Sequence, residues 1–187
     1  MKKIIVSLAL TLAVAITATA EPNKAKTLKI GDAAPEFKIK DTNGKEIDLS
    51  KLTVKGPVLV RLTCGCLGCD RELPYFQALH DAYKKEGIKL VAVFAEPDDK
   101  FAKYVKTKKL NMQYALDPKK SSWQVFGTKT MPSNFLIEKG GKVAAISKGC
   151  DPSGLIARNL GDKAAKLVKT AKVDIKAQVD KNKKPVT

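Results

Sequence analysis

Arginine is scarce in this chain, for only Arg61, Arg71 and Arg158 stand among its 35 basic residues. Bidentate recognition of phosphate favours the arginine fork. The formal charge of +16 therefore gives little ground for a nucleic-acid partner. It reads as a lysine coat, drawn at most to an anionic membrane or to acidic partners. Histidine is confined to His80, in Leu79-His80-Asp81, and reads as a surface residue rather than a metal ligand. Cysteine is absent before Cys64, so none lies near the N-terminus to carry a lipid. Only four cysteines occur in 187 residues, too few for a small disulfide-framed scaffold. The apolar run Ile4 to Ile16 is shorter than the ~20 residues that span a bilayer. No internal repeat is present.

What is present suits one domain. Apolar residues make up 44% of the chain, which excludes disorder over most of its length. Lys2 and Lys3, the run to Ile16 and then Ala18-Thr19-Ala20 follow the basic, apolar and small-residue order of a secretory signal peptide. The expected organisation is a signal peptide over 1–20, a flexible lead over 21–28, one domain over 29–161, and a Lys-rich helical extension or tail over 162–187. Cleavage before Glu21 would place the mature protein in the periplasm or outside the cell; an uncleaved anchor is the alternative. Disulfides persist in such a compartment.

Hairpin residues flank Asp41-Thr42-Asn43-Gly44. Val58 to Leu62 reads as a buried central strand. Leu73, Phe76, Leu79 and Tyr83 recur at helical spacing until Gly87. Ile88 to Ala95 reads as a second strand, and Asp98 or Asp99 as the cap of a helix through Phe101 and Val105. A short helix is expected over Ser121 to Phe126. The strands Ser133 to Ile137 and Lys142 to Ser147 flank Gly140-Gly141. Asp151-Pro152 signals the start of a last helix. Ala164, Val168, Ala171 and Ile175 keep helical spacing into the tail, with a weak membrane-surface contact as its further use. The expected fold is α/β, a mixed central sheet flanked by helices, with an N-terminal β-hairpin extension.

Three of the four cysteines crowd into Cys64-Gly65-Cys66-Leu67-Gly68-Cys69, between a buried strand and a helix. A helix N-terminus stabilises a thiolate and favours Cys66 as nucleophile. Cys69, three residues on, is placed to resolve a mixed disulfide. The C-x-x-C spacing alone also suits zinc. The surrounding residues narrow it. Cys66 to Pro74 reads C-x-x-C-x-x-E-x-P, Gly31 to Phe37 reads G-x-x-A-P-x-F, and Met131-Pro132 precedes Asn134-Phe135-Leu136-Ile137. From Lys29 to Leu160 the chain resembles the exported thioredoxin-like thiol:disulfide oxidoreductases of the cytochrome c maturation and AhpC/TSA redoxin group.

That resemblance implies a thioredoxin fold and a reductase exchanging disulfides with protein substrates, fed by an unidentified electron donor and needing no cofactor or metal. It implies Cys66 as the attacking thiol and Cys69 as the resolving thiol. Glu72 would help move the proton of Cys69. Pro132 would be cis, with the Met131 backbone pairing to an extended substrate segment. The chain departs from the pattern at Gly65, where tryptophan is usual, at Leu67-Gly68, where proline is frequent, and at Asp70, where a basic residue is common. A carboxylate at Asp70 should disfavour the thiolate. The strand after the proline runs away from the site and its partner returns, so Cys64 and Cys150 are expected as a second disulfide or a relay, with two unpaired cysteines as the alternative.

Two rival chemistries use the same fold. Thr63-Cys64-Gly65-Cys66 offers the T-x-x-C of a peroxiredoxin-like thiol peroxidase, with Arg71 or Arg158 as its arginine, but Leu59 stands where that pattern has proline. A Cu(I) or zinc carrier would use Cys64, Cys66 and Cys69 with Cys150 or His80.

Overall fold

The computed structural model describes residues 27–183, so the expected signal peptide (1–20) and the lead as far as residue 26 lie outside the described residues. In chain order the elements are β1 (Lys38–Lys40), β2 (Glu46–Asp48), α1 (Leu49–Lys55), β3 (Val58–Thr63), α2 (Leu67–Tyr83), β4 (Lys89–Phe94) and α3 (Asp98–Lys108). There follow β5 (Gln113–Leu116), α4 (Ser121–Val125), β6 (Ser133–Ile137), β7 (Val143–Lys148), α5 (Leu155–Leu167) and α6 (Ile175–Lys183).

Every residue of β3 is buried, as an apolar strand covered on both faces should be. It lies at the centre of a five-stranded sheet in the order β5-β4-β3-β6-β7. β3, β4 and β5 are parallel, whereas β6 and β7 run antiparallel. Alternation along β3 sends Val58, Val60 and Leu62 to one face, where Phe37, Trp123, Phe126 and Phe135 pack. Leu59 points to the other face, against Phe76, Leu79 and Tyr83 of α2 and Leu160 of α5. The hairpin β1–β2 is a separate two-stranded sheet. Single bridges from Ala33 to Lys142 and from Asp41 to Ala115 tie the N-terminal segment to both ends of the large sheet.

Three elements depart from the sequence reading. α1 was not expected; it begins directly after the hairpin because the Asp48 carboxylate accepts from the Ser50 and Lys51 N–H groups and caps a helix there. β5 was not expected; its four residues carry no β-branched side chain and gain order by pairing with β4. The last helix starts at Leu155 rather than after Asp151. Asp151 instead closes a turn, accepting from Ser153 through its side chain and from Gly154 through its carbonyl. Gly154 has a φ of 77°, and a Cβ there would stand 2.3 Å from the Tyr75 ring. Only glycine fits both conditions.

The C-terminal segment is integrated with the core. α5 runs through the expected boundary at 161 and ends at Leu167; Lys169, with a φ of 54°, follows the turn. α6 then returns over α2 and α5, burying Ile175 and Val179. The Val173 N–H donates to the buried Tyr83 hydroxyl at 3.0 Å. With these two apolar side chains turned inward, α6 presents mostly lysine and other polar groups to solvent. Among the described residues no helix is long and apolar enough to cross a membrane.

Candidate active site

The chain leaves β3 at Thr63 and enters α2 at Leu67, with Cys66 at the N-cap. Gly65 between them donates its N–H to Glu96 Oε1 at 2.6 Å, which fixes the bend. Cys66 is exposed, Cys64 half-buried and Cys69 buried, and all four cysteines are free thiols. Cys64 Sγ lies 3.4 Å from Cys69 Sγ. The three sulfurs of Cys64, Cys66 and Cys69 fall within 4.8 Å of one another, close enough to share a soft metal ion.

Their environments separate the thiols chemically. The Cys64 thiol donates toward Cys66, and the Cys69 and Gly68 backbone N–H groups and the Cys69 thiol add to it, so Cys66 ionises below an ordinary cysteine. Cys64 moves the other way: burial first, then its hydrogen bond to Cys66, keeps it a thiol. Asp70 does not act as the sequence reading expected. It accepts from the Tyr104 hydroxyl at 2.7 Å and pairs with Lys108, so its charge is matched on the α3 side while the Cys66 thiolate is favoured. Leu67, beside Cys66, is 68% exposed and gives the approach an apolar edge.

The Met131–Pro132 peptide is cis. Leu62 pairs with Ser133, so Pro132 comes level with Thr63 at the mouth of the cysteine loop. Ser133 in turn pairs with Lys148, and Gly149 donates to the Pro132 carbonyl at 2.9 Å. The next residue, Cys150, therefore reaches back over the start of α2. A Cβ on Gly68 would lie 2.8 Å from Cys150 Sγ. Glycine between the two cysteines thus leaves the space that this fourth thiol occupies. Burial raises the Cys150 pKa, with the negative charge of Glu72 adding to it. The sulfur neighbours of Cys64 are Cys66 and Cys69, and Cys150 sits over Gly68.

Beneath the thiols lies a buried polar network that the sequence reading missed. Arg61, 1% exposed, donates to Glu72 Oε2 at 2.7 Å and to Asn134 Oδ1 at 2.9 Å, with its guanidinium 3.9 Å over the Phe76 ring. The other Glu72 oxygen accepts from the Asp151 N–H at 3.3 Å. Both Glu72 oxygens are thus engaged. The signal was available: a charged residue inside an apolar central strand demands a buried partner. The arginines weighed instead, Arg71 and Arg158, are both exposed. His80 lies well along α2, in a hollow with Lys89 at the start of β4, away from the cysteines. Thr63 is buried, and its hydroxyl meets the Cys64 carbonyl at 3.5 Å.

Comparison with known proteins gives a consistent result. Residues 30–146 match the sequence profile of the AhpC/TSA family. A relative named thiol-disulfide oxidoreductase ResA, from Bacillus cereus, is 34% identical over 128 residues, 68% of this chain and 74% of that protein. A crystal structure described as thiol:disulfide interchange protein DsbE, from Chlorobium tepidum, superposes with a TM-score of 0.69. It has 26% identity and covers 76% of this chain and 99% of that one. Peroxidoxin BcpB from Mycobacterium tuberculosis shares the fold at 22% identity, with a TM-score of 0.60 over 76% of this chain and 97% of that one.

Proposed function

The chain belongs to the AhpC/TSA family, and on that premise we propose that it is an exported thiol:disulfide oxidoreductase whose Cys66–Cys69 pair reduces disulfides in protein substrates. The observation that carries the reading is the setting of Cys66: exposed, at the N-cap of α2, its thiolate favoured, with Cys69 buried three residues on. In the proposed cycle the Cys66 thiolate attacks a substrate disulfide. Cys69 then attacks the Cys66 sulfur of the mixed disulfide, releasing the substrate thiolate. Glu72, three residues on from Cys69 and held by Arg61, is the group that would help move the Cys69 proton. Met131 offers its backbone to an extended substrate segment beside cis-Pro132. Export rests on the pattern over 1–20, and protein substrates on the relatives' shared description as thiol:disulfide oxidoreductases. The reductase direction rests on the family resemblance alone.

A redox titration with thiol trapping tests this. Cys66 and Cys69 are expected to titrate as one two-electron couple, near the thioredoxin value of about −270 mV. A potential near about −120 mV would mark an oxidant instead. Failure to form any disulfide would remove the reading altogether. A soft-metal carrier is the second reading, favoured by the three sulfurs lying within 4.8 Å. Copper or zinc purifying with the protein at one ion per chain would support it. The peroxidase reading draws no support from an arginine at the thiols, because Arg61 is committed to Glu72 and Asn134.

A further inference from the structure

A dithiol couple needs two cysteines, and this site holds a third within reach of the resolving thiol. Cys64 Sγ stands 3.4 Å from Cys69 Sγ. Closing that contact to a bond of about 2.05 Å takes a side-chain movement of little more than an ångström. Cys64 is fixed from both sides: Thr63 ends a fully buried strand, and Gly65 is tied to Glu96. Its backbone is therefore held where its sulfur can reach Cys69.

Resting on the reading of Cys66 and Cys69 as a redox couple, we propose that Cys64 is a second disulfide partner of Cys69. The oxidised site is then two exchanging isomers, Cys66–Cys69 and Cys64–Cys69. The exchange is internal. The Cys64 sulfur attacks the Cys69 sulfur, a Cys64–Cys69 bond forms, and the Cys66–Cys69 bond breaks with its electron pair on Cys66. The proton that Cys64 loses goes to the departing Cys66 sulfur or to water. One disulfide and one thiol exist before and after, so no electrons enter or leave. The better leaving group is the thiol whose anion is better stabilised. In the Cys64–Cys69 isomer neither the Cys64 nor the Cys69 thiol donates to Cys66 any longer, but the Cys69 and Gly68 backbone N–H groups still face it, while burial disfavours a thiolate at Cys64; both favour this isomer.

This exchange gives the site a second activity. In the Cys66–Cys69 isomer the protein is the oxidised half of a reductase. In the Cys64–Cys69 isomer Cys66 is again an exposed free thiol, while its resolving partner is occupied. Such a site attacks a substrate disulfide through Cys66 and holds the mixed disulfide until a substrate thiol displaces it. The net result is rearrangement of mispaired protein disulfides without consumption of an electron donor.

The test is disulfide mapping. Wild-type protein is oxidised in glutathione buffer, quenched in acid and alkylated. The Leu62–Arg71 peptide, which carries all three cysteines, is then sequenced by tandem mass spectrometry. One label per peptide is expected, on Cys66 at least as often as on Cys64. The Cys66→Ser variant is expected to close Cys64 to Cys69 and leave neither labelled. A label found only on Cys64 in wild type, with both Cys64 and Cys69 labelled in Cys66→Ser, would overturn the proposal and leave the Cys66–Cys69 couple standing. So would Cys64 joined to Cys150 in the variant. Three labels in oxidised wild type would defeat both the proposal and the couple beneath it.

Discussion

At the scale of single residues, the chemistry turns on how three thiols in six positions come to differ. Cys66 collects donors from the helix start and from its own neighbours, while Cys64 has lost solvent. Since the Cys64 thiol is the first of those donors, its removal has a definite sign. In Cys64→Ala the Cys66 thiolate loses a hydrogen bond and its pKa rises; in Cys64→Ser a hydroxyl donor remains and the rise is smaller. The rate of Cys66 alkylation against pH reads this directly. Reactivity climbs as pH rises through the Cys66 pKa, so the midpoint should move to higher pH in the order wild type, serine, alanine. Equal midpoints in all three would show that the helix start alone sets the thiolate. The place of Cys66 and Cys69 between a strand and a helix was legible in the sequence, from the apolar run before them and the helical spacing after. The position of Cys64 was not, since one residue of separation from Cys66 hides its approach to Cys69, five positions on.

At the scale of elements, β3 and α2 are joined by a buried ion pair as well as by apolar contact. Arg61 takes the same sheet face as Leu59, so its guanidinium lands against Phe76 and Glu72 of α2, with Asn134 of β6 completing its bonds. Removing one member of such a pair leaves an unmatched buried charge, at a cost of about 3–5 kcal/mol. Glu72→Ala should lose that much in denaturant unfolding, whereas Arg61→Met combined with Glu72→Leu should recover most of it. A single replacement costing under about 1 kcal/mol would show that water already reaches the pair. The central strands, α2, α4 and the β6–β7 hairpin were readable from apolar runs and turn glycines. α1 and β5 were not. The first depends on the capping contacts of one aspartate, and the second is a short edge strand ordered by its neighbour. Arg61 looked like an interruption of its strand because its partner stands eleven residues away, on another element.

At the scale of the whole molecule, the lysine-rich C-terminus is part of the domain and not an appendage to it. Period alone could not separate a solvated extension from a packed helix, because among the described side chains of α6 only Ile175 and Val179 are well buried. They close the far side of the α2–α5 layer, with Ile175 lying against Gly161, where a Cβ would come within 3.4 Å. Ile175 lies toward the Tyr83 end of α2, whereas the thiols stand at the start of that helix. Stability and redox chemistry should therefore separate under mutation. Ile175→Ala leaves a cavity between α5, α6 and α2, and is expected to cost about 2–4 kcal/mol. For a chain of this size that is a fall in Tm of roughly 5–15 °C. Lys176→Ala, which removes only an exposed partner of Asp180, should leave Tm where it was. In both variants the Cys66–Cys69 potential should match that of the wild type. A shift in potential on Ile175→Ala would mean that α6 helps to set the start of α2 through the length of the helix, and that the C-terminal segment belongs to the catalytic design as well as to the core.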